Sequence, residues 1–253
     1  MNRILLEPHE VDSAGRADLA DERARHILTV LKAVAGASVR IGLVNGPKGV
    51  GHVEAAGAGT VRLRCDWAAL LPLESPVDLL LAVPRPKVLK RLWAPLASLG
   101  VRRVILTSAA RVERSYFATH WLEPEAYRPL LIEGLQQAGE TRLPEVHVCR
   151  RFRPLVEDQL DEFFPTGLRL VADPAGRERI SRLQLPAAAR VVLAVGPEGG
   201  WTPFELDLLC AHGFRCVGMG PRVLRSDVAC IALLALLHEQ LDLAQASQAP
   251  GPP

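Results

Sequence analysis

Hydrophobic positions follow two different periods along this chain, and the change between them divides it. Residues 21 to 35 place Ala24, Ile27, Leu28, Leu31 and Val34 on one helical stripe with Arg25, His26 and Lys32 largely off it, which predicts a short amphipathic helix. After Gly36 the period falls to two. Val39, Ile41 and Leu43 alternate with Arg40 and Gly42, and Asn45-Gly46 supplies a hairpin turn. Val61, Leu63 and Cys65 alternate with Arg62 and Arg64, a strand with one apolar and one basic face. Short strands punctuated by turns, ending at Pro72-Leu73-Glu74-Ser75-Pro76, predict a small β-barrel followed by a linker.

From Val77 onward continuous apolar runs alternate with helical stretches. Val77 to Val83, Val104 to Leu106, Val146 to Cys149, Leu168 to Ala172, Val191 to Val195 and Phe214 to Val217 read as buried strands of an α/β layer architecture. The expected organisation is a β domain over 1–73, an α/β domain over 74–244, and a disordered proline-rich tail over 245–253.

Composition narrows the classes. A chain of 253 residues that is 49% hydrophobic and 23% charged has the makings of a soluble globular protein. The amino terminus offers only Ile4-Leu5-Leu6 before an acid and a proline, too short for a secretory core. The longest apolar run, Val228 to Leu237, is about half the ~20 residues a membrane helix needs, so a cytosolic protein without a membrane partner is expected. The five cysteines are odd in number and lack CxxC spacing, so packing roles are expected, with neither disulfides nor a metal site. Net charge is only +2, yet Lys32, Lys48, Lys87 and Lys90 are the only lysines, and arginine binds phosphate bidentately. Local clusters therefore matter more than the sum. Arg85, Lys87, Lys90 and Arg91 form one, and Arg102, Arg103, Arg111 and Arg114 another.

Two loops carry the candidate chemistry. Gly196-Pro197-Glu198-Gly199-Gly200 and Gly218-Met219-Gly220-Pro221-Arg222-Val223-Leu224-Arg225 each follow a buried strand, which predicts a ligand cradle at the carboxyl ends of neighbouring strands. Thr202-Pro203-Phe204-Glu205 combines an N-cap, a proline at the first helical position and a capping-box acid, and Gly213 is a natural stop. The loops lack GxGxxG and Gly-Lys-Ser/Thr, which disfavours dinucleotide and P-loop triphosphate binding.

In sequence and spacing the two loops resemble those of the RsmE group of SPOUT-type RNA methyltransferases. The resemblance continues through His26 with Val30-Leu31-Lys32, Pro84-Arg85, Leu99-Gly100-Val101, Arg111 and Arg142-Leu143-Pro144, and so covers nearly the whole chain. It implies methylation of N3 of a uridine in 16S (small-subunit) ribosomal RNA, with S-adenosylmethionine as methyl donor. It also implies a PUA-like β domain, a trefoil-knotted methyltransferase domain, a homodimer, and 16S rRNA or the small ribosomal subunit as partner. Carried over by position, the cofactor pocket would be built by the loop after Ala172 and by the two glycine-proline loops, with Ala172, Gly196, Pro197, Glu198, Gly199, Gly200, Met219, Gly220, Val223, Leu224 and Arg225 as its residues.

Uracil N3 is a poor nucleophile while protonated, so a group must take its proton or stabilise the charge that develops on the base oxygens. Arg225 is the candidate cation, and Glu198 and Asp227 are the candidate proton acceptors. Arg85, Lys87, Arg111, Arg114 and Arg142 are expected to contact RNA, with Trp201 stacking on an unpaired base. Pro95, Ser98, Gln136, Glu140 and Val228 depart from the family pattern, two of them losing an acid and Glu140 reversing a charge. A shifted RNA target, or a non-catalytic RNA-binding or ribosome-assembly relative, are the alternative readings.

Overall fold

The computed structural model describes residues 3–186 and 188–247, and the chain forms two units, residues 1–74 with 131–143 and residues 75–130 with 144–253. The first unit is built on strands β1 (Ile4–Leu6), β2 (Arg16–Leu19), β3 (Ser38–Leu43), β4 (Lys48–Gly57) and β5 (Thr60–Trp67), with helix α1 (Glu22–Thr29). The strands run in the order β1-β3-β4-β5-β2, antiparallel except for β1 beside β3. Val61, Leu63 and Cys65 point inward as their alternation requires, joining Ile4, Leu6, Leu19, Ile27, Ile41 and Val53 in one core. The opposite face of β5 is charge-compensated, Arg62 pairing with Asp18 at 2.7 Å and Arg64 with Asp66 at 2.7 Å.

Helix α1 is shorter than its stripe predicts. It ends at Thr29, Lys32 takes a left-handed conformation (φ 50°), and Leu31 and Val34 are exposed at 45% and 68%. Ala24 and Ile27 alone of that stripe are fully buried. Glu140, where the family pattern has arginine, pairs with Lys48 at 2.6 Å, so its reversed charge has a partner within this unit.

The second unit holds β6 (Val77–Ala82), α2 (Pro86–Ser98), β7 (Arg103–Thr107), α3 (Pro124–Ala138, which passes into the first unit at Leu131), β8 (Glu145–Cys149), α4 (Phe152–Pro154), α5 (Leu160–Phe163), β9 (Leu168–Ala172), β10 (Glu178–Arg179), β11 (Val191–Val195), α6 (Pro203–Ala211), β12 (Phe214–Gly218) and α7 (Ser226–Ala246). Its seven strands are all parallel, in the order β10-β12-β9-β11-β6-β7-β8. A parallel sheet covered on both faces needs strands that are apolar throughout, and β6 and β11 are buried at every position. Leu80, Ile105, Val171, Val192 and Ala194 face a core with Phe152, Leu155, Leu160 and Leu209. Alternation turns Leu79, Leu81 and Leu193 to the other face, where α7 packs on β11 and α2.

All six predicted strands of this unit form, to within a residue or two at their ends; only the two-residue edge strand β10 has no counterpart in the sequence reading. The predicted capping box closes as expected: Thr202 N–H donates to Glu205 Oε2 at 2.8 Å, and Glu205 N–H donates to Thr202 Oγ1 at 3.3 Å. Helix α2 runs through Pro95 to Ser98. The predicted grouping of Arg102 and Arg103 with Arg111 and Arg114 does not form. Arg102 and Arg103 lie at the amino end of β7, paired with Asp78 and Glu145, whereas Arg111 and Arg114 follow its carboxyl end. Of the cysteines, Cys65 and Cys230 are buried and Cys149 and Cys216 half-buried, but Cys210 is exposed rather than packed. In the expected tail, Gln245 and Ala246 are the last residues of α7, and 248–253 lie outside the described residues. No helix among the described residues is long and apolar enough to cross a membrane.

Candidate active site

The loops after β9, β11 and β12 enclose a cavity of about 380 Å³ at the carboxyl ends of those strands. Strand β9 lies between β11 and β12, so the two glycine-proline loops are not on neighbouring strands as the sequence suggested. The segment Ala172 to Ala175 fills the gap between them and supplies a third wall. It is folded on itself, with the Ala175 N–H donating to Asp173 Oδ1 at 2.7 Å, and the Asp173 N–H donates to the Val217 carbonyl at 3.0 Å. The loop after β11 turns tightly, the Gly200 N–H donating to the Pro197 carbonyl at 2.8 Å. Gly200 sits at φ 73°, a conformation that only glycine adopts readily. At Gly218 a Cβ would stand 2.8 Å from the Gly176 carbonyl oxygen, so the third loop leaves β12 only because no side chain is there.

The cavity lining is apolar at Val195, Val217 and Leu233, and two of its other residues, Trp201 and Ser226, each hold an unusual polar atom. Trp201 Nε1 and Ser226 Oγ are buried and have no hydrogen-bond partner among the described residues. An unpaired buried donor or hydroxyl costs free energy, and because both residues line the cavity a ligand would complete the bonding of either atom that a shift of the wall uncovers. At the rim, Glu198 Oε1 accepts the Arg85 N–H at 3.2 Å, and the Arg111 guanidinium donates to the Gly199 carbonyl. Behind the rim, buried Glu205 accepts the Ala110 N–H at 2.6 Å, tying α6 to the segment after β7. An enclosed apolar site with a few convergent polar groups suits a small organic ligand. Among the described residues no group of three or more His, Cys, Asp or Glu side chains is arranged to hold a metal ion.

A family model described as an RNA methyltransferase domain matches residues 71–238. The ribosomal RNA small subunit methyltransferase E of Treponema pallidum is 34% identical over 246 residues, covering 94% of this chain and 90% of that protein. This chain belongs to the ribosomal RNA small subunit methyltransferase E family. Its fold matches that of the Neisseria gonorrhoeae ribosomal RNA small subunit methyltransferase E, solved bound to S-adenosyl methionine, with a TM-score of 0.74 at 21% identity over 94% of this chain and 97% of that one. The Legionella pneumophila protein Lpg2936, solved with bound SAM, gives a TM-score of 0.72 at 23% identity, covering 94% and 97% of the two chains.

Against the methyltransferase E pattern, ten of the eleven expected cofactor residues line the cavity: Ala172, Gly196, Pro197, Glu198, Gly199, Gly200, Met219, Gly220, Val223 and Leu224. Arg225 does not. It stands at the N-cap of α7 with its side chain 73% exposed and its Nη2 3.5 Å from Asp227 Oδ2. Asp227 also lies off the wall, 7% exposed, accepting from Arg91 Nη2 at 2.8 Å and from the Val228 N–H at 3.0 Å. Burial alone would raise the Asp227 pKa. The hydrogen bonds from Arg91 and Val228 and the charges of Arg225 and Arg91 outweigh that and hold it below the usual aspartate value. A carboxylate so stabilised is a poor proton acceptor.

Of the expected RNA contacts, Arg85, Lys87 and Arg114 are exposed in the second unit, Arg111 is exposed at the cavity rim, and Arg142 belongs to the first unit. Trp201 corrects its expected role. It is 4% exposed and its ring packs on Phe152 at a centroid distance of 5.4 Å, so it has no face on which a base could stack. Its adjacency to the loop in sequence gave no information on which way the ring turns. The loop after Ala172, expected from the resemblance to build part of the pocket, lines the cavity through Asp173, Pro174 and Ala175, whereas Ser226 is a wall residue the sequence did not single out.

Proposed function

We propose that this chain transfers a methyl group to N3 of a uridine in 16S ribosomal RNA. The observation that carries this reading is the mainly apolar cavity between the three loops, whose lining residues Trp201 and Ser226 each hold a covered polar atom, Nε1 and Oγ, with no partner among the described residues. An indole N–H donates and a serine hydroxyl both donates and accepts, a set that suits a zwitterionic amino-acid group and a purine edge. S-Adenosylmethionine, when bound, supplies an electrophilic methyl group. Ala172, Gly196 to Gly200 and Met219 to Leu224 are the residues that would hold it, with Val195, Val217 and Leu233 excluding water from its flat ring.

On the acceptor side, Arg225 places an exposed cation beside the start of α7, where it would stabilise negative charge developing on the uracil oxygens. Glu198, one of two carboxylates in the cavity lining with Asp173, is the residue assigned to receive the N3 proton. Asp227, ion-paired twice, is the weaker candidate for that step. Arg85, Lys87, Arg111, Arg114 and Arg142 supply phosphate contacts in this reading.

The proposal extends to architecture. The first unit, with its five-stranded sheet and covering helix, is read as the PUA-like domain, with the boundary near residue 73. A trefoil knot is supported by the insertion of β11 between β9 and β6 and by the packing of α7 on both β11 and the turn Ile180–Arg182. A homodimer is supported by the exposed apolar side chains Val223, Leu224, Val228 and Ile231 around the start of α7. A cytoplasmic location accords with ribosomal RNA as the substrate.

Calorimetric titration with S-adenosylmethionine tests the cofactor first, and absence of binding at high cofactor concentration removes the enzyme reading. Mass spectrometry of RNA nucleosides from a deletion strain and its complement then tests the target. An unchanged 3-methyluridine level eliminates N3 of that uridine as the acceptor. Arg225→Ala is expected to lower methylation without unfolding the protein, and unaltered turnover removes its assigned role.

A further inference from the structure

Asp227 links two arginines that come from different elements. Its side chain is 10% exposed, and the carboxylate accepts from Arg91 of α2 at 2.8 Å and stands 3.5 Å from the Arg225 guanidinium at the start of α7. The two arginine side chains are 53% and 73% exposed, so the acid is covered while much of each guanidinium faces solvent. One carboxylate against two guanidinium groups leaves the trio with one net positive charge. Arg225 and Asp227 flank Ser226, which lines the cofactor cavity, so this cationic pair is anchored one residue from the wall.

We propose that Asp227 is a positioning residue that holds Arg91 and Arg225 as a paired receptor for anionic groups of the RNA substrate, with Arg91 taking a phosphate beside the target nucleotide. The inference rests on the rRNA methyltransferase reading. A guanidinium recognises phosphate through a planar fork of N–H groups, and its long side chain loses conformational freedom when it binds. Fixing one edge of the fork on a buried carboxylate removes part of that loss before RNA arrives and leaves the remaining N–H groups aimed outward. Because one carboxylate is shared by both arginines, neither is neutralised. The depressed pKa of Asp227 keeps the anchor ionised at neutral pH.

Binding of deproteinised small-subunit rRNA as a function of salt, steady-state methylation of the same RNA, and calorimetry with S-adenosylmethionine separate the parts. Arg91→Ala, at an exposed position, is expected to fold and to bind the cofactor as the parent does. Its plot of log affinity against log salt should be shallower by about 0.7–0.9, the value of one phosphate contact. Asp227→Asn should raise KM for RNA about tenfold, equivalent to about 1.4 kcal/mol, with cofactor affinity unchanged. Asp227→Glu should restore part of it. Arg91→Ala should cost less in the Asp227→Asn background than alone. An unchanged salt slope in Arg91→Ala overturns the proposal. So does a loss of kcat in Asp227→Asn at unchanged KM, which marks the carboxylate as a proton acceptor instead. Failure of the parent protein to bind cofactor or methylate RNA strikes the methyltransferase reading, a result distinct from either.

Discussion

Gly196 and Trp201 are fitted to each other: a Cβ at Gly196 would stand 3.1 Å from the Trp201 ring. The ring has little room to retreat, being 4% exposed and packed on Phe152. The position of the indole beside the cavity therefore depends on the absence of a side chain at residue 196.

Gly196→Ala is accordingly expected to act on both stability and binding. Forcing one methyl group against a packed ring costs about 1–3 kcal/mol, and the displaced ring or loop should weaken S-adenosylmethionine binding about tenfold. Urea denaturation and calorimetry measure the two effects. Parent-like values in both would mean that the contact is easily relieved and does not set the wall.

Ser226→Ala should move stability and binding in opposite directions. Its Oγ is buried without a hydrogen-bond partner among the described residues, so removing the oxygen relieves a desolvation cost and should stabilise the fold by up to about 1 kcal/mol. Cofactor affinity should fall, since Ser226 lines the cavity and its hydroxyl gains a partner only when a ligand draws it out of cover. A loss of stability with unchanged affinity would contradict this assignment.

Glu205 does more than cap a helix. Besides closing the box with Thr202 it accepts the Ala110 N–H at 2.6 Å, so Glu205→Ala removes a cap and strands a backbone donor. The expected cost is about 2–3 kcal/mol, against about 1 kcal/mol for Thr202→Ala, which spares the Ala110 bond. Thermal melts of the two variants provide the comparison. Equal losses would mean that the Ala110 contact contributes nothing.

The contrast between Glu205 and β9 explains what the sequence could reveal. A capping box is local, its partners three residues apart, and it was legible in full; so were the buried parallel strands, whose uninterrupted apolar runs require cover on both faces. Strand order is not local. Nothing in Val191 to Val195 or Phe214 to Val217 announces that Leu168 to Ala172 lies between them, so the two glycine-proline loops were expected on neighbouring strands, and the loop after Ala172 entered the expected pocket through the family resemblance alone. Side-chain direction in irregular segments was equally hidden. Trp201 turns into the core, and Leu31 and Val34 leave the helical stripe because the backbone reverses at Lys32. The pairing of Asp227 with Arg91 joins residues 136 positions apart, and only packing brings them together.

The cysteines should differ sharply in reactivity. Burial, with Asp227 nearby, pushes the Cys230 thiol up to about 12, and burial, with Asp66 and Asp12, pushes Cys65 up to about 11, whereas Cys210 is exposed. Thiolate is the reactive form, so a thiol reagent at pH 8 should label Cys210 first and reach Cys230 and Cys65 only on unfolding. Peptide mapping after timed alkylation reads the order, and early labelling of Cys230 would contradict its burial in α7.

Acidification should destabilise the protein through His238. This residue lies on α7 close to Gly100, and its Nε2 is buried without a hydrogen-bond partner among the described residues. Burial pulls its pKa below the ordinary histidine value, an effect that Asp242 only partly offsets. Near neutrality the imidazole is uncharged in both folded and unfolded chains and contributes no pH dependence. As pH falls through about 6.5 the unfolded chain takes up the proton first, so stability declines until the folded-state pKa is reached and then levels off. The limiting slope for one group is about 1.4 kcal/mol per pH unit. Urea denaturation between pH 7.5 and pH 5 should therefore show a steeper loss for the parent than for His238→Leu, which has no proton to take up at that position. Because the two proteins differ only at residue 238, the difference between the two curves isolates it, and coincident curves would mean that the imidazole is hydrated or protonated within the fold.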